Sequence, residues 1–129
     1  MQTNKDLILR NIKKFSDFLM ALTKQKPSEI ENIVDYIDEF NLKTFNHSTQ
    51  SLLEKESSEI LEIIGSTNLD NIKDFADLLF FRFSLEKDTS IRLQQSKKVL
   101  ELYQFYEKMS LIYSFEIQSK INILKKESN

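Results

Sequence analysis

Only one glycine and one proline, Gly65 and Pro27, occur in the 129 residues of this chain. Tight turns between strands draw mostly on Gly, Asn and Pro. A chain so poor in Gly and Pro has little means of building a sheet, and no clear strand-like alternation of apolar and polar residues is evident. The expectation is an all-α fold, a compact antiparallel multi-helix array forming one domain over residues 1–129.

The same scarcity removes whole classes of chemistry. One glycine cannot make a Gly-rich phosphate loop. With no Cys there is no disulfide framework, thiolate nucleophile or Cys-ligated metal. With His47 the only histidine, a His-rich metal site within one chain is impossible, and no Glu-x-x-His pair of a di-metal bundle exists. No catalytic, cofactor-binding or metal-ligating residue is assigned. The 18 basic and 20 acidic residues give a net charge of -2, without a global pull toward nucleic acid or anionic lipid. The first residues lack a basic stretch followed by an apolar one, so no signal peptide is expected. The longest apolar run, Phe18 to Leu22, is far short of a membrane span. A cytoplasmic protein without membrane contact is the simplest expectation.

Apolar stripes at spacings of three and four predict the helices. The first covers about Asn4 to Lys24 through Ile8, Ile12, Phe15, Leu19 and Leu22, with Asp6 able to pair with Arg10. The second follows Pro27, with Ser28 and Glu31 as a capping box and Ile30, Ile33, Val34, Ile37 and Phe40 inward, fading at Asn41 to Lys43. Thr44 to Ser58 reads as a connection in which Ser51-Leu52-Leu53 makes one helical turn. A short helix from Ser58 to Ile64 is stopped by Gly65, and Asn68 caps a helix over Leu69 to Lys87. That helix is apolar all round at Leu78 to Phe81, which places it centrally. After a capping turn at Asp88-Thr89-Ser90, a helix to Lys108 carries two stripes, Leu93, Ser96, Leu100, Tyr103 and Val99, Leu102, Tyr106, Met109. Ser114 can cap a last helix to Lys126 with Ile117, Ile121 and Leu124 inward. One continuous helix through Ser110 to Tyr113 is the alternative.

The stretch Leu69 to Lys108 resembles a degenerate tetratricopeptide helix pair, because Lys98-Val99-Leu100-Glu101-Leu102-Tyr103 is similar to the Lys-Ala-Leu-x-Leu-Tyr ending of such repeats. Phe80, Arg92 and Ser96 depart from the repeat pattern. The chain as a whole resembles an uncharacterised bacterial family of small all-helical, tetratricopeptide-like proteins. The resemblance rests on Asp6-Leu7-Ile8-Leu9-Arg10, Ser58-Glu59-Ile60-Leu61 and Tyr113-Ser114-Phe115-Glu116, in that order. It implies a helical fold and a peptide- or protein-binding role, and carries over no catalytic residue.

Candidate residues divide between bland and functional readings. His47, in Asn46-His47-Ser48, reads as a solvated loop histidine, although Ser48 and Ser51 lie near enough in sequence to be nucleophiles. Asp35, Asp38 and Glu39 read as a solvated helix face. Arg82 interrupts an apolar run, and either ion-pairs with a neighbouring helix or presents its guanidinium to a partner carboxylate. Phe105 lies off both stripes of its helix and is expected to face outward. The candidate interface is therefore Arg82, Val99, Leu102, Tyr103, Phe105 and Tyr106. The leading expectation is a small helical module for protein–protein interaction or self-association, with a protein or peptide partner or a second copy. The alternatives are an enzyme with two or more of Asp74, Asp77, Arg82, Tyr103 and Tyr106 converging in a helical cleft, and, less favoured, a nucleic-acid-binding regulator.

Overall fold

Stripe spacing and capping chemistry together set the helix order. A computed structural model of the chain describes residues 4–64 and 69–128, with side chains over residues 12–64 and 69–127. Seven α-helices follow one another among the described residues: α1 (Asn4–Gln25), α2 (Ile30–Phe45), α3 (Thr49–Glu54), α4 (Ser57–Ile64), α5 (Leu69–Leu85), α6 (Thr89–Ser110) and α7 (Phe115–Ser128). No strand occurs among the described residues. Gly65, Asn68 and the Asp6–Arg10 pair lie outside the residues or side chains described.

Several ends form as their residue types dictate. Asp88 is the N-cap of α6 and accepts from the Ile91 N–H at 3.0 Å. Ser114 does the same for α7, accepting from the Ile117 N–H at 3.1 Å. Ser48 caps α3, whose Leu52 and Leu53 are buried and fasten the α2–α4 connection to the core. Asn46 closes α2 in the left-handed region at φ 60°, a conformation Asn tolerates.

Four expectations are corrected. Ile30, expected inward, is the first residue of α2 and is exposed. Pro27–Glu29 forms a single 3₁₀ turn, and α2 begins at Ile30 with Glu29 as N-cap and no side-chain cap hydrogen bond. Ser28 thus lies inside the 3₁₀ turn, and the expected capping box does not form. Helix α2 also runs on to Phe45, which is buried. Met109 is exposed, because it lies at the last turn of α6 beyond its neighbours. At the Ser110–Tyr113 break, two helices form and not one.

Helix α5 is central. Ile72, Phe75, Ala76, Leu79 and Phe83 enter the main core with residues from α1 to α7. Leu78 turns to a second cluster with Leu19 and with Ile33 and Ile37 of α2. Side-chain pairs show the directions. Asp77 meets Tyr103 and Phe83 meets Arg92, so α5 and α6 are antiparallel. Glu107 meets Gln118 and Arg92 meets Glu127, so α6 and α7 are antiparallel too. The Phe15–Phe40 stack sets α1 antiparallel to α2.

Candidate interaction surfaces

Four of the six residues that read as an interface in the sequence belong to the buried core. Val99, Leu102 and Tyr103 have no exposed surface, and Tyr106 is 3% exposed. Phe105 does not face outward, because it packs half-buried against the main core. The broad apolar face of α6 is covered by α5 on one side and by α4 and α7 on others. Two stripes on one helix therefore mean two or more internal neighbours, and of the six residues Phe105 alone keeps partial exposure.

Arg82 takes the structural role. Its Nε donates to Asp38 of α2 at 3.2 Å and its Nη1 to Glu86 at 2.7 Å. Asp38 also accepts from the Thr49 hydroxyl at 2.6 Å, and Thr49 accepts from Asn41 at 2.8 Å. A polar chain thus joins α5, α2 and the start of α3. Burial works against charge on Arg82, but its hydrogen bonds to the two carboxylates and their charges raise it above its ordinary value. For Glu86, burial works to raise the carboxyl. The Arg82 hydrogen bond and the Lys87 and Asp88 N–H groups overcome that and hold it below the usual range.

Asp77 is a second polar junction. It accepts from the buried Tyr103 hydroxyl, from Lys120 of α7 at 3.0 Å and from Lys73 at 3.5 Å. Burial, then the charge of Asp77 beside it, pushes the Tyr103 phenol far up, so it remains a neutral donor. Asp77 and Tyr103 do converge, but with Lys120, which also lies over the Phe80 ring at 5.5 Å. Tyr106 reaches Asp70 at 3.3 Å. These groups pin α5, α6 and α7 together.

His47 is half-buried, with Nδ1 3.5 Å from the Ser51 hydroxyl. That exceeds the reach of a base–nucleophile hydrogen bond. The acidic trio of α2 disperses, with Asp38 on Arg82 and Glu39 on Lys43 at 3.1 Å. No group of three or more potential metal ligands occurs among the described residues. No described helix is long and apolar enough to cross a membrane.

Two surface features remain that have no internal explanation. The first is the turn between α6 and α7. Met109, Leu111, Ile112, Tyr113 and Phe115 are 55, 75, 54, 65 and 89% exposed. Beneath them the backbone is stapled. Leu111 N–H donates to Glu107 O at 2.9 Å, Ile112 N–H to the Ser110 hydroxyl at 3.1 Å, and Gln118 N–H to Ser114 O at 3.0 Å. Leu111 is the C-cap of α6 at φ 60°, ψ 23°, a left-handed conformation that disfavours a side chain with Cβ.

The second is a groove of about 490 Å³ between α1 and α2. Phe15, Phe18, Leu22, Tyr36 and Phe40 wall it, with Phe15 and Phe40 stacked at 4.3 Å between ring centroids. Lys26 and Glu29 stand on its rim, as do Lys43 and Glu39. Glu29 accepts from Asn32 at 3.1 Å and from the Tyr36 hydroxyl at 3.0 Å, which lowers the Glu29 carboxyl and raises the Tyr36 phenol. The Phe18 to Leu22 apolar run was the sequence signal for this groove. For the α6–α7 turn the signal was five apolar residues crowded around Ser110 and Ser114 with no glycine among them.

No family model, curated protein or solved structure matches the chain. Any functional reading rests on the residues themselves.

Proposed function

We propose that this is a small cytoplasmic, non-catalytic interaction module that makes its contact through the Met109–Phe115 turn. The observation that carries the reading is the conjunction at that turn. Five large apolar side chains point into solvent, on a backbone held by cap hydrogen bonds, with Leu111 in a conformation that costs about 1–2 kcal/mol for a residue with Cβ. Contiguous exposed apolar patches on soluble domains mark interaction sites, and retained backbone strain clusters at functional positions. The tetratricopeptide-like reading of α5 and α6 agrees with this role. So does the antiparallel packing of a 17-residue and a 22-residue helix joined by a short capped turn.

Photo-crosslinking in the native cell tests it. Benzoylphenylalanine in place of Tyr113 is expected to give discrete protein adducts. The same probe in place of the exposed Lys97 is expected to give none. Equal adduct yields at the two positions would sink the reading.

A further inference from the structure

We propose that the Met109–Phe115 turn of one copy docks into the α1–α2 groove of a second copy. This rests on the interaction reading above and names the partner. The two surfaces belong to different helix pairs of the chain. Phe18 is 58% exposed and Phe115 is 89% exposed, so within one chain neither is seated in the other.

Charge and composition select the occupant. Lys43 on the groove rim is paired with Glu39 at 3.1 Å, and Lys26 and Glu29 bring one charge of each sign. Such a groove has no net field to select an anionic or a cationic ligand. It suits an uncharged apolar segment, and flanking charges of either sign meet an opposite charge on the rim. Met109 to Phe115 contains no charged residue, and Lys108 precedes it and Glu116 follows it. The groove walls are aromatic, and the incoming side chains are aromatic and branched aliphatic, the pairing typical of an interface centre. A net charge of -2 per copy sets little repulsion against association. A lipid surface suits the turn less well. Carboxylates at Asp70, Asp74, Asp77, Glu107 and Glu116 on the neighbouring turns of α5, α6 and α7 outnumber Lys73, Lys108 and Lys120 there.

A turn that enters a groove elsewhere on its partner makes a heterologous contact. Each copy keeps one turn and one groove free, so assembly runs on into open chains or closes as a ring. That asymmetry gives the test. Phe18→Asp removes the groove and Phe115→Asp removes the turn. Both positions are exposed, and circular dichroism and thermal unfolding check that each variant folds. Light scattering after size exclusion is expected to show wild type growing beyond a dimer as concentration rises. Each variant alone is expected to associate about thirtyfold more weakly. An equimolar mixture of the two should restore one intact turn–groove pair and stop at a 1:1 dimer. Association of Phe18→Asp alone as strong as that of wild type would overturn the proposal in favour of a symmetric turn-to-turn contact, and a mixture that stays monomeric while wild type associates would overturn it as well. A monomeric wild type that still crosslinks other proteins through position 113 would remove the second copy as partner and leave the interaction reading standing. Monomeric wild type with no adduct removes both. Co-sedimentation of monomeric wild type, and not of Phe115→Asp, with phosphatidylglycerol vesicles would assign the turn to a lipid surface instead.

Discussion

Val99 to Tyr106 and Met109 to Phe115 are neighbouring stretches of similar composition with opposite fates. Each is rich in Leu, Tyr and Phe. In the first, Val99, Leu102 and Tyr103 have no exposed surface, and in the second Leu111 and Phe115 are 75 and 89% exposed. The difference is helical register against neighbours. The first stretch repeats at three and four residues along α6, so its stripes meet α4, α5 and α7. The second falls where α6 ends and the chain reverses. Among the described residues nothing covers the side chains at the end of α6, and the turn's own polar staples hold the backbone beneath them. Apolar residues therefore mean core in one place and contact surface in the other, and only packing distinguishes them.

The comparison predicts a large asymmetry in stability. Leu102→Ala removes a fully buried side chain from the main core and is expected to cost about 2–5 kcal/mol, much of the total for a domain of this size. Ile112→Ala and Phe115→Ala remove exposed groups and should each stay within about 0.5 kcal/mol of wild type. Urea unfolding monitored by circular dichroism measures all three. Comparable losses in the two stretches would mean that the turn is packed in solution, and the contrast between them would fail.

A smaller effect is expected at Arg82, the charged residue that reads as interface in the sequence and lies inside the fold. Arg82→Met keeps the apolar stem and leaves Asp38 and Glu86 without their guanidinium. Asp38 is 40% exposed and recovers water, so the cost lies between the surface and buried limits, about 1–3 kcal/mol at neutral pH. The pH dependence has a definite sign. Glu86 is held below its ordinary value of 4.5 in the folded state. Its contribution is complete above that value and is lost as pH falls through the lower folded value. Wild type should thus lose its lead over Arg82→Met in acid, below about pH 4.5. A lead that holds constant to about pH 3 would show that the Glu86 carboxylate adds nothing.

The helices were legible because period and cap chemistry are local. Asp88 and Ser114 bond to N–H groups three residues on, and the Ile33–Ile37 and Ile72–Phe75–Ala76–Leu79–Phe83 stripes need only one helix to define them. The ion pair of Arg82 with a neighbouring helix was legible as one of two readings. The interface was not, since its assignment depends on which helices cover α6, and periodicity does not record that. Arg92 shows the same limit. It reads as a departure from a repeat pattern, yet it donates to the Phe83 and Glu86 carbonyls at 3.0 and 3.3 Å, pairs with Glu127 and lies over the Phe83 ring. It closes the end of α5 against both α6 and α7, a role visible only once three helices are in place. Ser28 and Glu31 fail in the other direction. The local motif was present, but the 3₁₀ turn that starts at Pro27 takes in Ser28 and leaves Glu29 as the N-cap of α2.

Leu111 permits the finest cut between the two stretches, because its backbone and its side chain make opposite demands. At φ 60° a Cβ costs about 1–2 kcal/mol, and glycine removes that cost while adding about 0.5–1 kcal/mol of unfolded-chain entropy. Leu111→Gly should therefore stabilise the isolated chain slightly, by up to about 1.5 kcal/mol. Little core packing is at stake, since the side chain is 75% exposed. A leucine at a position where glycine gives a more stable fold needs a reason outside the fold. If the side chain is there to be covered, Leu111→Gly gains thermal stability and loses association in light scattering. Greater stability with association unchanged would show that the docking surface does not use Leu111. Lower stability would show that Leu111 is packed, and the contrast with Leu102 would then be one of degree.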